Sequence, residues 1–209
     1  MEDQQSFTTL LEKATEFHGH LCAGQIIGVR MAMLGLRELG ISDPLGRDRK
    51  KLLVFVEVSR CLADAIMTVT GCRVGKRSFK IVDIGKMAAT FINLETNQGV
   101  RIIAGKDVQE KIAARYRGLD ECAAQKKAYR EMADRDLFTV QEVAVQLKPE
   151  DTPGTPAQKV SCATCGETVL DRRETRQNGK ALCRPCATGD RYYTAQSPLR
   201  EPRQEALLP

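Results

Sequence analysis

Both histidines of the chain stand one residue apart, in Phe17-His18-Gly19-His20-Leu21-Cys22-Ala23-Gly24. The pattern His-x-His-x-Cys puts two imidazoles and a thiol at alternate positions. In an extended strip such side chains share one face. Neutral imidazole and thiolate are the donors that zinc and its divalent neighbours prefer. Glycines on either side let the backbone bend close to a bound group. A turn that merely holds two polar rings is the plainer alternative. That one strip holds every histidine of the protein favours a metal or thiol site.

A second thiol follows in Cys61-Leu62-Ala63-Asp64-Ala65-Ile66-Met67. Read as a helix, it puts Cys61 and Asp64 on one face. Cys22 and Cys61 each stand where a turn or strand feeds a helix N-terminus, and there the backbone's partial positive charge favours a thiolate.

The third group is Cys162-Ala-Thr-Cys165, seventeen residues, then Cys183-Arg-Pro-Cys186. This is C-x2-C…C-x2-C at structural zinc spacing. Four thiolates close a tetrahedral site. The segment has few large apolar residues (Val169, Leu170, Leu182), so metal binding would supply much of its folding free energy. A pair of disulfides or an iron site are the alternatives. Arg172, Arg173, Arg176, Lys180 and Arg184 interleave with Glu167, Asp171 and Glu174, the mixture of a solvated face. Docking to a partner is favoured over nucleic acid.

These groups need elements to position them. Phe7, Leu10, Leu11, Ala14 and Phe17 fall at helical steps. A second helix runs from Ala23 or Gly24 to Gly40. Gly24, Gly28, Ala32 and Gly35 on it would let another element pack closely. Leu52–Val58 reads as a strand buried on both faces. Residues 79–82, 87–94 and 100–104 suit an antiparallel meander. Residues 108–116 and 119–132 read as helices, with Cys122 a small buried hydrophobe. Phe138–Leu147 reads as a last strand. Gly71-Cys72-Arg73-Val74-Gly75-Lys76-Arg77 is not a phosphate loop: one residue is missing between the glycines and Arg77 follows the lysine.

With 209 residues, 42% hydrophobic and 28% charged, the chain can bury a proper core as a soluble globular protein. Aromatics at 5% and no tryptophan make that core aliphatic. A net charge of +5 does not argue for nucleic acid. The polar start lacks a secretory signal, and no apolar run reaches membrane-span length. A cytoplasmic setting is expected, where eight cysteines serve as metal ligands or reactive thiols. Lys148–Pro156 is a linker by composition. The expected organisation is a metal/thiol-site domain over 1–147, a linker over 148–160, a zinc ribbon over 161–195 and a flexible tail over 196–209.

The chain resembles the FmdE/FwdE family, a component of formylmethanofuran dehydrogenase and its free-standing relatives. The resemblance rests on residues 17–24, Gly28-Val29-Arg30, Cys61–Ile66, Thr70–Lys76 and Asp83-Ile84-Gly85-Lys86-Met87-Ala88, and covers about 10–145. The quartet resembles the DksA/TraR type of zinc finger. Ala23 stands where the family usually has proline, a change of local rigidity and not of ligands. The resemblance implies an α+β fold, an antiparallel sheet with packed helices (FwdE/GAPDH-domain-like), plus the small C-terminal ribbon. It also implies a homodimer and a metal-bearing cleft built from the matched positions.

On that basis the candidate N-terminal metal set is His18, His20, Cys22, Cys61 and Cys72, holding a second zinc or another divalent metal. Cys22, Cys61, Asp64 and Lys76 are the candidate catalytic groups. Asp64 would orient an imidazole, and Lys76 and Lys86 would hold an unknown small anionic ligand. The ribbon set is Cys162, Cys165, Cys183 and Cys186, with zinc. Two functions follow: a metal-dependent enzyme or accessory component of an oxidoreductase, and a non-catalytic assembly protein. An open three-ligand site favours the first and a closed four-ligand site the second.

Overall fold

The computed structural model describes residues 2–155 and 158–196. The chain divides into two compact units, Met1–Gly154 and Thr155–Pro209. In the first unit α1 (Glu2–His18) and α2 (Ala23–Glu38) precede β1 (Leu52–Val56), α3 (Cys61–Thr70), β2 (Phe79–Ile81), β3 (Ala88–Asn93) and β4 (Gly99–Ala104). Then come α4 (Val108–Arg115), α5 (Glu121–Glu131), α6 (Asp134–Leu137) and β5 (Phe138–Glu142).

The strands form one sheet of order β2-β1-β3-β4-β5. Three pairings are antiparallel and β1–β2 is parallel. The architecture is α+β, with a mainly antiparallel sheet and packed helices. The expected meander fails at its first member, because β1 lies between β2 and β3. A helix intervenes between β1 and β2, and that connection is long enough for a parallel crossover. Leu52, Leu53, Val54 and Val56 are all buried, so β1 sits inside the sheet and not at its edge.

α2 buries Ile26, Ile27, Val29, Met31 and Leu34. It seats closely on its neighbours through its small residues. A Cβ on Gly28 would come 2.7 Å from the Cβ of Ala65 in α3, and one on Gly35 would come 2.6 Å from the Phe91 ring in β3. β5 ends at Glu142, short of the expected Leu147, because β4 begins at Gly99 and its partners run out there. Cys122 is exposed and not buried. α5 turns Ala124, Ala128 and Tyr129 inward, and Asp120, which accepts from the Ala123 N–H, caps the helix in that phase.

The second unit holds two small antiparallel hairpins, β6 (Lys159–Ser161) with β7 (Thr168–Leu170) and β8 (Thr175–Gln177) with β9 (Lys180–Leu182). A short helix, α7 (Arg184–Thr188), follows. Of the expected tail, residues 197–209 lie outside the described residues. Among the described residues no helix is long and apolar enough to cross a membrane.

Candidate metal centres

α1 runs to His18 and stops at Gly19, whose φ of 90° is a left-handed conformation that glycine adopts without strain. The Gly19 N–H still bonds the Thr15 carbonyl at 2.9 Å. Cys22 is the extended residue just before α2, and its carbonyl accepts from the Gln25 N–H at 3.2 Å. The strip is therefore a tight turn between two helices and not an extended run. The turn achieves what alternation was expected to give. The ligand atoms of His18, His20 and Cys22 lie within 4.8 Å of one another, with His18 and Cys22 partly buried and His20 exposed. The two imidazole centroids are 4.7 Å apart.

His18 is held from behind. Its Nδ1 lies 2.8 Å from Oδ2 of Asp64, in the first turn of α3. Its Nε2 is buried and has no hydrogen-bond partner among the described residues. Leaving such a nitrogen unsatisfied costs about 1–3 kcal/mol. With the proton held on Nδ1 by the carboxylate, Nε2 keeps a lone pair to offer a metal. A divalent metal fits this arrangement: it satisfies the orphaned nitrogen, and the donor chemistry is two imidazoles and a thiolate.

Cys61, the first residue of α3, stands beside this group but outside it. A Cβ on Gly24 would lie 2.9 Å from the Cys61 Cβ and 3.6 Å from the Cys22 Sγ. The two cysteines thus flank a glycine whose missing side chain makes room for them. Burial first, and then the hydrogen bond with Cys22, push the Cys61 thiol up. Gln25, wholly buried in α2, donates from Nε2 to the Cys61 carbonyl at 2.6 Å.

Cys72 is not brought to this group. It is buried beyond the far end of α3, its Sγ 3.6 Å from the Leu52 carbonyl. Burial pushes its thiol up. Cys61 follows the end of β1 and Cys72 returns to its start, so the ten residues of α3, about 15 Å long, separate them. Lys76 and Lys86 are exposed on the loops that flank β2. No hydrogen bond or ion pair joins either to the donors among the described residues. Gln25 was not anticipated from the sequence, and its signal is a polar residue inside the apolar stretch of α2. Nor was Arg73 singled out, whose guanidinium sits 5.7 Å from the centroid of the Phe17 ring, next to His18.

In the second unit the four sulfurs of Cys162, Cys165, Cys183 and Cys186 also lie within 4.8 Å of one another. Cys165 and Cys183 are 3.9 Å apart at Sγ. The backbone N–H groups of Cys165 and Cys183 bring the Cys162 thiol down to about 6. The hydrogen bond with Cys183 pushes Cys186 up to about 12. Sulfurs this close cannot all ionise alone, and a divalent cation is the partner that lets them.

The family model described as FmdE, molybdenum formylmethanofuran dehydrogenase operon, matches residues 17–147. An Archaeoglobus fulgidus protein named "Probable S-adenosyl-L-methionine-binding protein" is 29% identical over 209 residues, covering 91% of this chain and 55% of that protein. The chain therefore spans about half the length of that curated relative. A solved structure from Syntrophus aciditrophicus, of an FmdE-like protein of the tungsten formylmethanofuran dehydrogenase type, shares 25% identity and a TM-score of 0.60. That likeness covers 90% of this chain and 95% of that one.

Proposed function

Because the chain belongs to the FmdE family, we propose that it is a metal-dependent enzyme, free-standing or as the accessory component of an oxidoreductase. Its first unit holds a divalent metal, zinc or a neighbour, on His18, His20 and Cys22. The observation that carries this reading is the buried Nε2 of His18, without a hydrogen-bond partner among the described residues, on a ring that Asp64 holds and that stands beside His20 and Cys22. Three donors, one of them exposed, leave room for a fourth ligand, as a catalytic site requires.

A divalent metal with an open position supplies Lewis acidity, polarising a substrate oxygen and lowering the pKa of water. The chain does the rest. Asp64 fixes the tautomer and angle of the His18 ring. The exposed His20 borders the opening. Cys61 places a second thiol beside the donors. Lys76 and Lys86 are the candidates for holding an anionic substrate group. The ribbon's four thiolates hold a structural zinc. We place the protein in the cytoplasm as a homodimer. The relative's name puts S-adenosylmethionine among the ligands to screen.

A second reading is a non-catalytic assembly protein. The closed four-sulfur group on its own compact unit supports it, since such a ribbon suits docking. Cobalt substitution separates the two: small anions that change the first unit's visible spectrum reveal an exchangeable position.

The test of metal binding is elemental analysis of reduced protein. Two metals per chain are expected in the parent, and one each in Cys22→Ala and Cys162→Ala. A parent with one metal, lost only with Cys162→Ala, sinks the reading.

A further inference from the structure

We infer that Cys22 and Cys61 are a redox pair: their oxidation to a disulfide withdraws Cys22 from the donor set and releases the metal. The inference rests on the metal reading above and adds the regulation of that site.

Three features hold the pair together. One side chain stands just before α2 and the other opens α3, yet both flank the bare Cα of Gly24: a Cβ there would lie 2.9 Å from the Cys61 Cβ and 3.6 Å from the Cys22 Sγ. Gln25, wholly buried, ties the Cys61 carbonyl to the first turn of α2 at 2.6 Å, which locks one helix start against the other. Both cysteines are partly exposed, so a small oxidant reaches them, whereas Cys72 is sealed in the core. Cys61 lies outside the convergent donors.

The oxidant is a low-molecular-weight disulfide, RSSR. One protein thiolate attacks it, forming a mixed disulfide and expelling RS⁻. The second protein thiolate attacks the protein sulfur of that mixed disulfide. The Cys22–Cys61 bond forms and a second RS⁻ leaves. Two protein thiols are oxidised, and their two electrons and two protons depart in two RSH. Cys22 then has no thiolate to offer, and two imidazoles alone hold a metal poorly. A dithiol reductant reverses each step.

The test uses the reduced, zinc-loaded full chain and oxidised glutathione. Alkylation and peptide mass spectrometry follow the sulfurs, and a chromogenic chelator follows the metal. The expected result is a Cys22–Cys61 cross-linked peptide pair with loss of one zinc per chain, reversed by dithiothreitol, while the ribbon keeps its zinc. Cys61→Ser, once loaded with zinc in its first unit, should release it about tenfold more slowly under oxidant than the parent does, or slower still. Cys22 and Cys61 recovered unlinked overturn the inference and leave the metal reading standing. So does Cys61→Ser losing zinc as fast as the parent. A reduced parent holding only the ribbon zinc sinks the metal reading, and the release step with it, before oxidant is added.

Discussion

His18 and Asp64 meet at 2.8 Å, the imidazole Nδ1 against the carboxylate Oδ2, although 46 residues separate them. This contact joins the end of α1 to the start of α3 and leaves the other ring nitrogen buried, without a hydrogen-bond partner among the described residues. Asp64 is thus a positioning residue.

Asp64→Ala should weaken metal binding in the first unit by about 10–100-fold, the usual cost of losing a histidine's orienting partner. Asp64→Asn, which still accepts a hydrogen bond, should fall between variant and parent. Competition with a chromogenic chelator measures both, with the ribbon metal as an internal standard. Equal affinities in all three proteins would remove the orienting role.

Gly24→Ala forces a methyl to within 2.9 Å of the Cys61 Cβ. Overpacking of this kind costs about 1–3 kcal/mol, a Tm loss of about 2–4 °C per kcal/mol in a chain this size. The variant should also cross-link Cys22 to Cys61 more slowly. Gly75→Ala, where nothing lies within 4 Å, is the control and should melt within about 2 °C of the parent. Differential scanning calorimetry decides.

Glu57 and Arg101 form a two-pronged ion pair at 2.6 and 2.7 Å. The guanidinium hydrogen bond holds the Glu57 carboxyl below its ordinary value. The unfolded chain therefore binds that proton more tightly than the folded one. The pair's contribution is present above the unfolded carboxylate range and is lost as pH falls through the folded value. Glu57→Gln should lower stability by about 1 kcal/mol at neutral pH, with the gap to the parent closing below the ordinary glutamate range. Urea melts at several pH values supply the test, and a gap that widens in acid contradicts it.

Chelation should unfold the second unit and spare the first. The ribbon's described core is little more than Cys162 and Leu182, so its folding free energy must come largely from metal. In the full chain, Cys162→Ser should make residues beyond 158 protease-sensitive while the sheet's melting transition stays in place. Limited proteolysis with mass mapping reads this. A ribbon that resists protease without metal would contradict it.

The donors were legible because their residue types are rare and closely spaced. His18, His20 and Cys22 are too near in sequence to separate, and the ribbon announces itself by its two pairs. Helix ends were legible from glycine: α1 stops at Gly19 and α3 at Gly71. Longer-range relations were not legible from spacing. That Asp64 would orient an imidazole followed from the resemblance alone; α3, seated on the small residues of α2, brings it to His18. Cys61 and Cys72 looked alike as thiols, but a helix between them puts them at opposite ends of β1. Cys122 was misread because the phase of α5 is set by what it packs against, not by its own composition.

The parallel crossover has one more consequence, for assembly during synthesis. The three donors, the orienting carboxylate and the second sulfur all precede residue 65, while β2, β3, β4 and β5 begin at 79, 88, 99 and 138. A ribosome therefore delivers everything needed to capture an ion before four of the five strands exist. The four sulfurs of the ribbon emerge only after all five strands of the sheet.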